Sequence, residues 1–161
     1  MVSKTLFSSR SEEWGTPPKL FDYLDQQFHF TLDAAATAEN AKCSRFYTKE
    51  RDGLLQDWTG NVWLNPPYGR QIYLWMQTAY RAAQKSADCV VVLVHARTDT
   101  KWWHEFVMLA SEVWFLERRV AFVGKSGAGQ SSTFPSVLVI FRRNPNNALP
   151  RIRALKKAAW F

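Results

Sequence analysis

The alternation of apolar and polar positions predicts strands and helices that follow one another along the 161-residue chain. Residues 28–32 alternate between apolar and polar side chains before an acidic residue, Asp33, as in a half-buried strand. Residues 61–64 form a second, short strand that two prolines end. Apolar side chains recur at helical spacing between residues 70 and 86, so we expect a helix directly after the prolines.

The same order continues in the second half of the chain. Residues 89–94 form a continuous apolar run, which is typical of a strand buried on both faces of a parallel sheet, and residues 100–110 have the pattern of the next helix. Residues 113–116 and 137–141 predict two more strands, separated by a loop rich in glycine and serine at residues 124–132. Alternating strands and helices indicate an α/β fold with a mostly parallel sheet, whose ligands bind beyond the carboxyl ends of the strands.

The composition is that of one globular domain. An apolar content of 47% in 161 residues supports one core, and two domains are not expected. The longest apolar run is too short to span a bilayer and residues 1–10 lack the apolar stretch of a signal peptide, so we expect a cytoplasmic protein without a membrane partner. Cys43 and Cys89 have no CxxC spacing and are expected to be reduced thiols, and the histidines lack the spacing of metal ligands.

The charge balance favours nucleic acid as the partner. The formal net charge is +7, and a basic surface attracts polyanions. The segment from Arg142 onward carries arginines and lysines but no acidic residue. We therefore divide the chain into a main domain, residues 1–143, and a basic C-terminal segment, residues 144–161, which is either a phosphate-contacting tail or a solvated helix.

The tetrapeptide Asn65-Pro66-Pro67-Tyr68 carries the chemistry. It follows a predicted strand and precedes a helix, which places it at the ligand-binding edge of the sheet. An exocyclic amine conjugated to an aromatic ring is a poor nucleophile until its lone pair leaves conjugation. The side-chain oxygen of Asn65 and the carbonyl of Pro66, held by the prolines, can each accept one N–H of such an amine and aim its nitrogen at a methyl donor. Tyr68 offers an aromatic face on which an unstacked base can rest.

Five segments together carry a resemblance over residues 14–141. They are Trp14-Gly15-Thr16-Pro17, Leu32-Asp33-Ala34-Ala35-Ala36, Asp52-Gly53-Leu54 followed by Trp58, Asn65-Pro66-Pro67-Tyr68, and Phe134-Pro135-Ser136. The chain resembles the amino-methyltransferases, whose signature is Asp/Asn-Pro-Pro-Tyr/Phe, and more closely the phage-encoded, Dam-like DNA N6-adenine methyltransferases. The resemblance implies a single-domain, Rossmann-like fold with helices on both faces of the sheet. It also implies S-adenosylmethionine as methyl donor, S-adenosylhomocysteine as product, no metal, and adenine N6 in DNA as the target, in a host cytoplasm if the gene is phage-borne.

The resemblance also implies a cofactor site. Asp33 would meet the amino acid moiety of S-adenosylmethionine, Ala34, Ala35 and Ala36 would let the backbone approach it, and Asn65 would lie beside it. Trp14, Thr16 and Pro17 would close over its methionine end, and Asp52 would contact the adenosine. Asp33 and Asp52 can also be read as turn residues, and Thr16 as a helix start. The loop after Asp33 departs from the family in having no glycine before Asn40. The short interval between Asp33 and Asn65 implies that the middle strands of the fold are minimal.

A duplex base must be flipped to reach Asn65, so the enzyme must hold phosphates. The candidates are Arg97, Lys101, Arg118, Arg119 and Lys125. The loop at residues 124–132 either enters a groove or simply connects a hairpin. We see no separate target-recognition domain, so specificity is expected to be short or relaxed, in a monomer or homodimer. Three alternatives remain: a methyltransferase acting on RNA, one acting on protein glutamine, and an inactive DNA-binding relative.

Overall fold

The computed structural model describes residues 15–124, 127, 129–144 and 146–161. Short 3-10 turns lie at Gly53–Leu55, Val107–Leu109 and Lys157–Ala159. The helices and strands, in chain order, are α1 (Pro18–Phe28), β1 (Leu32–Asp33), β2 (Gly60–Leu64), α2 (Ile72–Lys85), β3 (Ala87–His95), α3 (Lys101–Glu105), β4 (Glu112–Leu116), β5 (Ala121–Val123), β6 (Gly129–Ser131), β7 (Ser136–Phe141) and β8 (Arg151–Leu155).

The main sheet has the strand order β1-β2-β3-β7-β4-β8, and β5 and β6 form a separate hairpin. The pairs β1–β2, β2–β3 and β4–β8 are parallel, whereas β7 runs antiparallel to both of its neighbours. The predicted α/β class is confirmed, but the sheet is mixed. The reason is that β7 follows the β5–β6 hairpin and not a helical crossover, so the chain re-enters the sheet in the reverse direction.

Helices cover both faces of this sheet, as predicted. Successive strand residues point to opposite faces. Val62 and Leu64 pack in the core that α2 and α3 complete, while Trp63 between them packs in the core that α1 completes. From Ala34 to Thr59 the chain forms no further strand of the sheet, so the middle of the fold is as minimal as expected.

The predicted first strand at residues 28–32 is wrong in its bounds. Residue 28 ends α1, His29 takes a left-handed conformation with φ 51°, and β1 contains only Leu32 and Asp33. The buried side chains Leu20, Leu24 and Phe28 are four residues apart and mark the inner face of α1. Phe28 and Phe30 stack with their ring centroids 5.7 Å apart across this helix end, and that pair imitates the alternation of a strand.

The end of the chain is neither a tail nor a helix. Arg151–Leu155 is an edge strand that pairs in parallel with β4. Glu112 adds side-chain contacts to this pairing: its buried carboxylate accepts hydrogen bonds from Arg142 and Arg151 and lies 3.5 Å from Arg153. The carboxylate of Glu112 therefore partly neutralises the positive charge of this basic segment at the edge of the sheet.

The remaining elements agree more closely with their predictions. The predicted helix at residues 100–110 is divided into α3 and a 3-10 turn, and residues 129–131 of the predicted loop form β6, which pairs with β5 in a hairpin. Cys43 and Cys89 are free thiols. Within the described ranges, no helix is long and apolar enough to cross a membrane, and no group of three metal-ligating side chains is found.

Candidate active site

Three strands place candidate functional side chains at one edge of the sheet. Asp33 ends β1, Asn65 follows β2 and His95 ends β3, and these strands are parallel, so the three residues lie side by side. Because β7 is antiparallel to both β3 and β4, β4 runs in the direction of β3 and delivers Arg118 and Arg119 to the same side. We call this side the carboxyl edge.

A cavity of about 540 Å³ opens at the carboxyl edge beside β1 and β2. It collects most of the predicted cofactor residues: Thr16, Asp33, Ala34, Ala35, Ala36, Asp52 and Asn65, together with Pro67 of the tetrapeptide. Pro17, Pro66 and Tyr68 are not part of its lining, and Trp14 lies outside the described residues. Sequence reasoning missed Lys42, Lys49, Gln71 and Trp75, which also line the cavity, because a polar loop or a helical apolar position gives no signal of which pocket it faces.

Asp33 organises the loop around the cavity. Its side chain is buried, with one carboxylate oxygen accepting the backbone N–H of Lys42 at 3.0 Å and the other that of Ala35 at 3.4 Å. Burial raises the pKa of Asp33 to about 6, against the opposing effect of these two hydrogen bonds. The carboxylate is therefore both a turn residue and a charge held at the cavity wall, where a cation would stabilise its ionised form.

The alanine-containing loop after Asp33 packs tightly against Gly53. The loop backbone is held between β2 and the segment around Tyr47, through the bonds from Ala34 N–H to the Trp63 carbonyl and from Ala36 N–H to the Tyr47 carbonyl. A Cβ on Gly53 would lie 2.2 Å from the carbonyl oxygen of Ala34. Glycine at position 53 therefore lets these two backbone segments approach each other closely.

Asp52 adopts a left-handed conformation with φ 45° directly before Gly53. Its side chain accepts the N–H of Leu54 at 3.1 Å, which caps the 3-10 turn. Asp52 therefore has the turn role suggested by the sequence and also faces the cavity.

Tyr68 braces the tetrapeptide from within the fold. Its hydroxyl lies 3.3 Å from Oδ1 of Asn65 and 3.2 Å from the carbonyl oxygen of Leu93, and it can donate to either. Burial raises the pKa of Tyr68 above its ordinary value, so the phenol stays neutral. The ring is stacked on His95 with centroids 4.1 Å apart and an angle of 12° between the planes.

His95, to which the sequence assigned no role, is thus part of the site. Its Nε2 lies 3.1 Å from Oγ of Ser132, and that oxygen also accepts the N–H of Phe134. Burial, together with the positive charges of Arg97 and Arg119, lowers the pKa of His95 to about 4. In the sequence, the position of His95 directly after the apolar run of β3 could have indicated that it lies at the ligand-binding edge of the sheet.

Comparison with known proteins identifies the family. Residues 3–157 match the family model described as DNA N-6-adenine-methyltransferase (Dam). The chain belongs to this family. It is 29% identical over 147 residues to a DNA N-6-adenine-methyltransferase of Haemophilus phage HP1, covering 88% of this chain and 84% of the relative. It is 34% identical over 107 residues to a DNA N-6-adenine-methyltransferase of Escherichia phage T1, covering 65% of this chain but only 44% of that relative. The chain is accordingly an adenine-specific DNA methyltransferase.

The predicted DNA-contacting cations of this methyltransferase have different partners in the structure. Arg97, Arg118 and Arg119 lie at the carboxyl edge. The guanidinium of Arg97 lies 5.2 Å from the ring centroid of Phe134 and pairs with Asp99, and Arg119 donates to the Thr133 carbonyl. Lys101 begins α3 and pairs with Glu105 at 3.4 Å. Lys125 lies outside the described residues.

Proposed function

We propose that the chain binds S-adenosylmethionine in the cavity at β1 and β2 and transfers its methyl group to an adenine flipped out of DNA onto the Asn65-Pro66-Pro67-Tyr68 segment. The observation that carries this proposal is the position of Asn65, which lines the cavity beside Asp33 while its side chain is braced by Tyr68. The mixed sheet with helices on both faces supports a Rossmann-like methyltransferase fold with a shortened middle.

The residues of the cavity suit this cofactor. Its volume of about 540 Å³ is that of a site for a drug-sized molecule. The lining includes the acidic residues Asp33 and Asp52 and the basic residues Lys42 and Lys49, so both signs of charge are available for the zwitterionic amino acid moiety and the ribose hydroxyls of the cofactor. Trp75 adds an aromatic surface for the adenine. When bound, S-adenosylmethionine supplies an electrophilic methyl group on a sulfonium.

The tetrapeptide holds the target amine. Oδ1 of Asn65 and the carbonyl of Pro66 accept its two N–H groups, which turns the nitrogen lone pair out of conjugation and toward the cavity. The Tyr68 hydroxyl, 3.3 Å from Oδ1, fixes the orientation of the Asn65 amide. Because the amine loses its proton only after the new bond forms, water can take that proton and no strong base is required.

DNA approaches from the side of β3, β7 and β4. Arg97, Arg118 and Arg119 follow or flank these strands at the carboxyl edge and are suited to phosphate contacts, which position the duplex without reading its sequence. Flipping costs a few kcal/mol, which these contacts and base stacking offset. A monomer or a homodimer fits this arrangement.

Transfer of a labelled methyl group from S-adenosylmethionine to DNA, RNA and protein tests this function. We expect label in DNA as N6-methyladenine, and no transfer by Asn65→Ala although it still binds S-adenosylhomocysteine. Label in RNA or protein but not in DNA would refute DNA as the substrate. Undiminished transfer by Asn65→Ala would refute the proposed role of the tetrapeptide.

A further inference from the structure

A flipped adenine and the ring of His95 compete for one place. In the proposed function the target amine bonds to Oδ1 of Asn65, and the Tyr68 hydroxyl is 3.3 Å from that oxygen. In the proposed function the base held there also rests on the face of the Tyr68 ring. His95 already lies against that ring at 4.1 Å and 12°, the spacing and near-parallel plane of a stacked base.

The other side-chain contacts described for His95 come from the segment that joins β6 to β7. They are Phe134, at 5.3 Å between ring centroids, and Ser132. The residue is only half-buried, and Arg97 and Arg119 flank it on the side from which DNA arrives. Its backbone is fixed by pairing with Ser136, so only the side chain needs to rotate.

The imidazole stacks as a neutral ring. Ser132 Oγ accepts the N–H of Phe134, so its own proton is free to be donated to Nε2 of His95. In either tautomer of the ring this bond can form, and the low pKa of His95, about 4, keeps the imidazole neutral at neutral pH. A neutral flat ring on Tyr68 is a close mimic of an uncharged base.

We propose that His95 fills the target-base position on Tyr68 in the DNA-free enzyme and rotates away when an adenine enters. The side chain then acts as a placeholder that excludes water from the base site and makes entry of a base less favourable, because the stacked ring must first be displaced. The proposal rests on the proposed function of Asn65, since that function defines where the base lies.

Single-stranded oligodeoxyadenylate is a suitable probe because it presents adenines that need no unpairing. NMR of the folded wild-type protein with S-adenosylhomocysteine should show the His95 ring resonances losing the ring-current shift of Tyr68 when this probe is added, but not with oligodeoxythymidylate. Over the same titration the pKa of His95 should rise from about 4, because the ring leaves its desolvated site between Arg97 and Arg119 for the vicinity of phosphates.

Binding of the same probe by variants gives a second readout. His95→Ala should bind oligodeoxyadenylate roughly 2- to 10-fold more tightly than wild type, because no stacked ring must be displaced. His95→Phe, which restores a ring on Tyr68, should lose this gain. His29→Asn is the matched control. His29 caps the C-terminal end of α1 with φ 51°, a conformation that asparagine tolerates.

The outcomes separate this proposal from the proposed function. Unmoved His95 resonances with bound oligodeoxyadenylate, or equal affinities of wild type and His95→Ala, would overturn the placeholder role even if DNA is methylated. Displacement of His95 by adenine in a protein that methylates no DNA would support the base site and overturn only the reaction.

Discussion

The buried carboxylate of Asp33 predicts that cofactor binding depends on pH. Burial raises its pKa from the ordinary 3.8 to about 6 in the ligand-free protein. A cationic ammonium bound against it would favour the ionised form and return the pKa toward its ordinary value. Affinity for S-adenosylhomocysteine should therefore increase as the pH rises through 6 and level off near pH 7, with a gain of about tenfold between pH 5 and pH 7.

The same carboxylate should lower the stability of the ligand-free fold. As the pH rises from 3.8 to about 6, Asp33 ionises in the unfolded chain before it does so in the folded protein. The free energy of unfolding therefore falls over this window, by about 3 kcal/mol at 1.36 kcal/mol per pH unit. Above pH 6 the loss is complete, and a bound ammonium recovers part of it.

Titration calorimetry at several pH values from 5 to 8 measures the affinity. The matched control is 5′-methylthioadenosine, which has the same adenosine but no amino acid moiety and should bind with little dependence on pH. Asp33→Asn should bind S-adenosylhomocysteine weakly at every pH. The same pH dependence for both ligands, or none for S-adenosylhomocysteine, would refute the assignment of Asp33 to the ammonium.

Three further predictions concern packing, the edge strand and DNA. Gly53→Ala should lower the free energy of unfolding in urea by about 2 kcal/mol, because its Cβ would lie 2.2 Å from the Ala34 carbonyl oxygen. The same substitution should weaken binding of S-adenosylhomocysteine. An unchanged urea midpoint would contradict this packing. Glu112→Gln should lower the free energy of unfolding by about 1 kcal/mol, because its arginine partners are largely exposed, and should speed hydrogen exchange in β8. The difference from wild type should shrink as the pH falls through the lowered pKa of Glu112, and an unaffected β8 would count against this role. Arg119→Ala should reduce the slope of log affinity for DNA against log salt concentration by about 0.9. Lys101→Ala should change this slope less, because the ammonium group of Lys101 pairs with Glu105. A larger change for Lys101→Ala than for Arg119→Ala would instead place the DNA path along α3.

The motif-bearing part of the fold follows from local patterns. The strand at residues 61–64, the double proline and the helix after it are consecutive in the chain, so their order and spacing place Asn65 at the sheet edge without any tertiary information. The long apolar run of β3 is predictable for the same reason, because a strand buried on both faces needs no alternation.

Other features depend on contacts between distant residues. The direction of β7 is set by a hairpin, and the pairing of β8 with β4 is supplemented by contacts to the carboxylate of Glu112, neither of which leaves a periodic pattern. The end of α1 was assigned to a strand because apolar and polar residues alternate from Phe28 to Leu32, although Phe28 is still helical.

Part of the site was hidden for the same reason. Lys42 and Lys49 reach the cavity through an irregular loop, and the stacking of His95 on Tyr68 joins residues from the ends of two strands. Sequence could suggest the edge of the sheet at which they lie but not their contacts.

The nucleosides of DNA treated with the enzyme and S-adenosylmethionine test the central claim most directly. Mass spectrometry should find N6-methyladenine with wild type, retained methylation with Asn65→Asp, whose carboxylate oxygen can also accept the amine N–H, and none with Asn65→Ala. Methylated adenine at wild-type level from Asn65→Ala, or none from wild type, would contradict the account of how this edge of the sheet activates an amine.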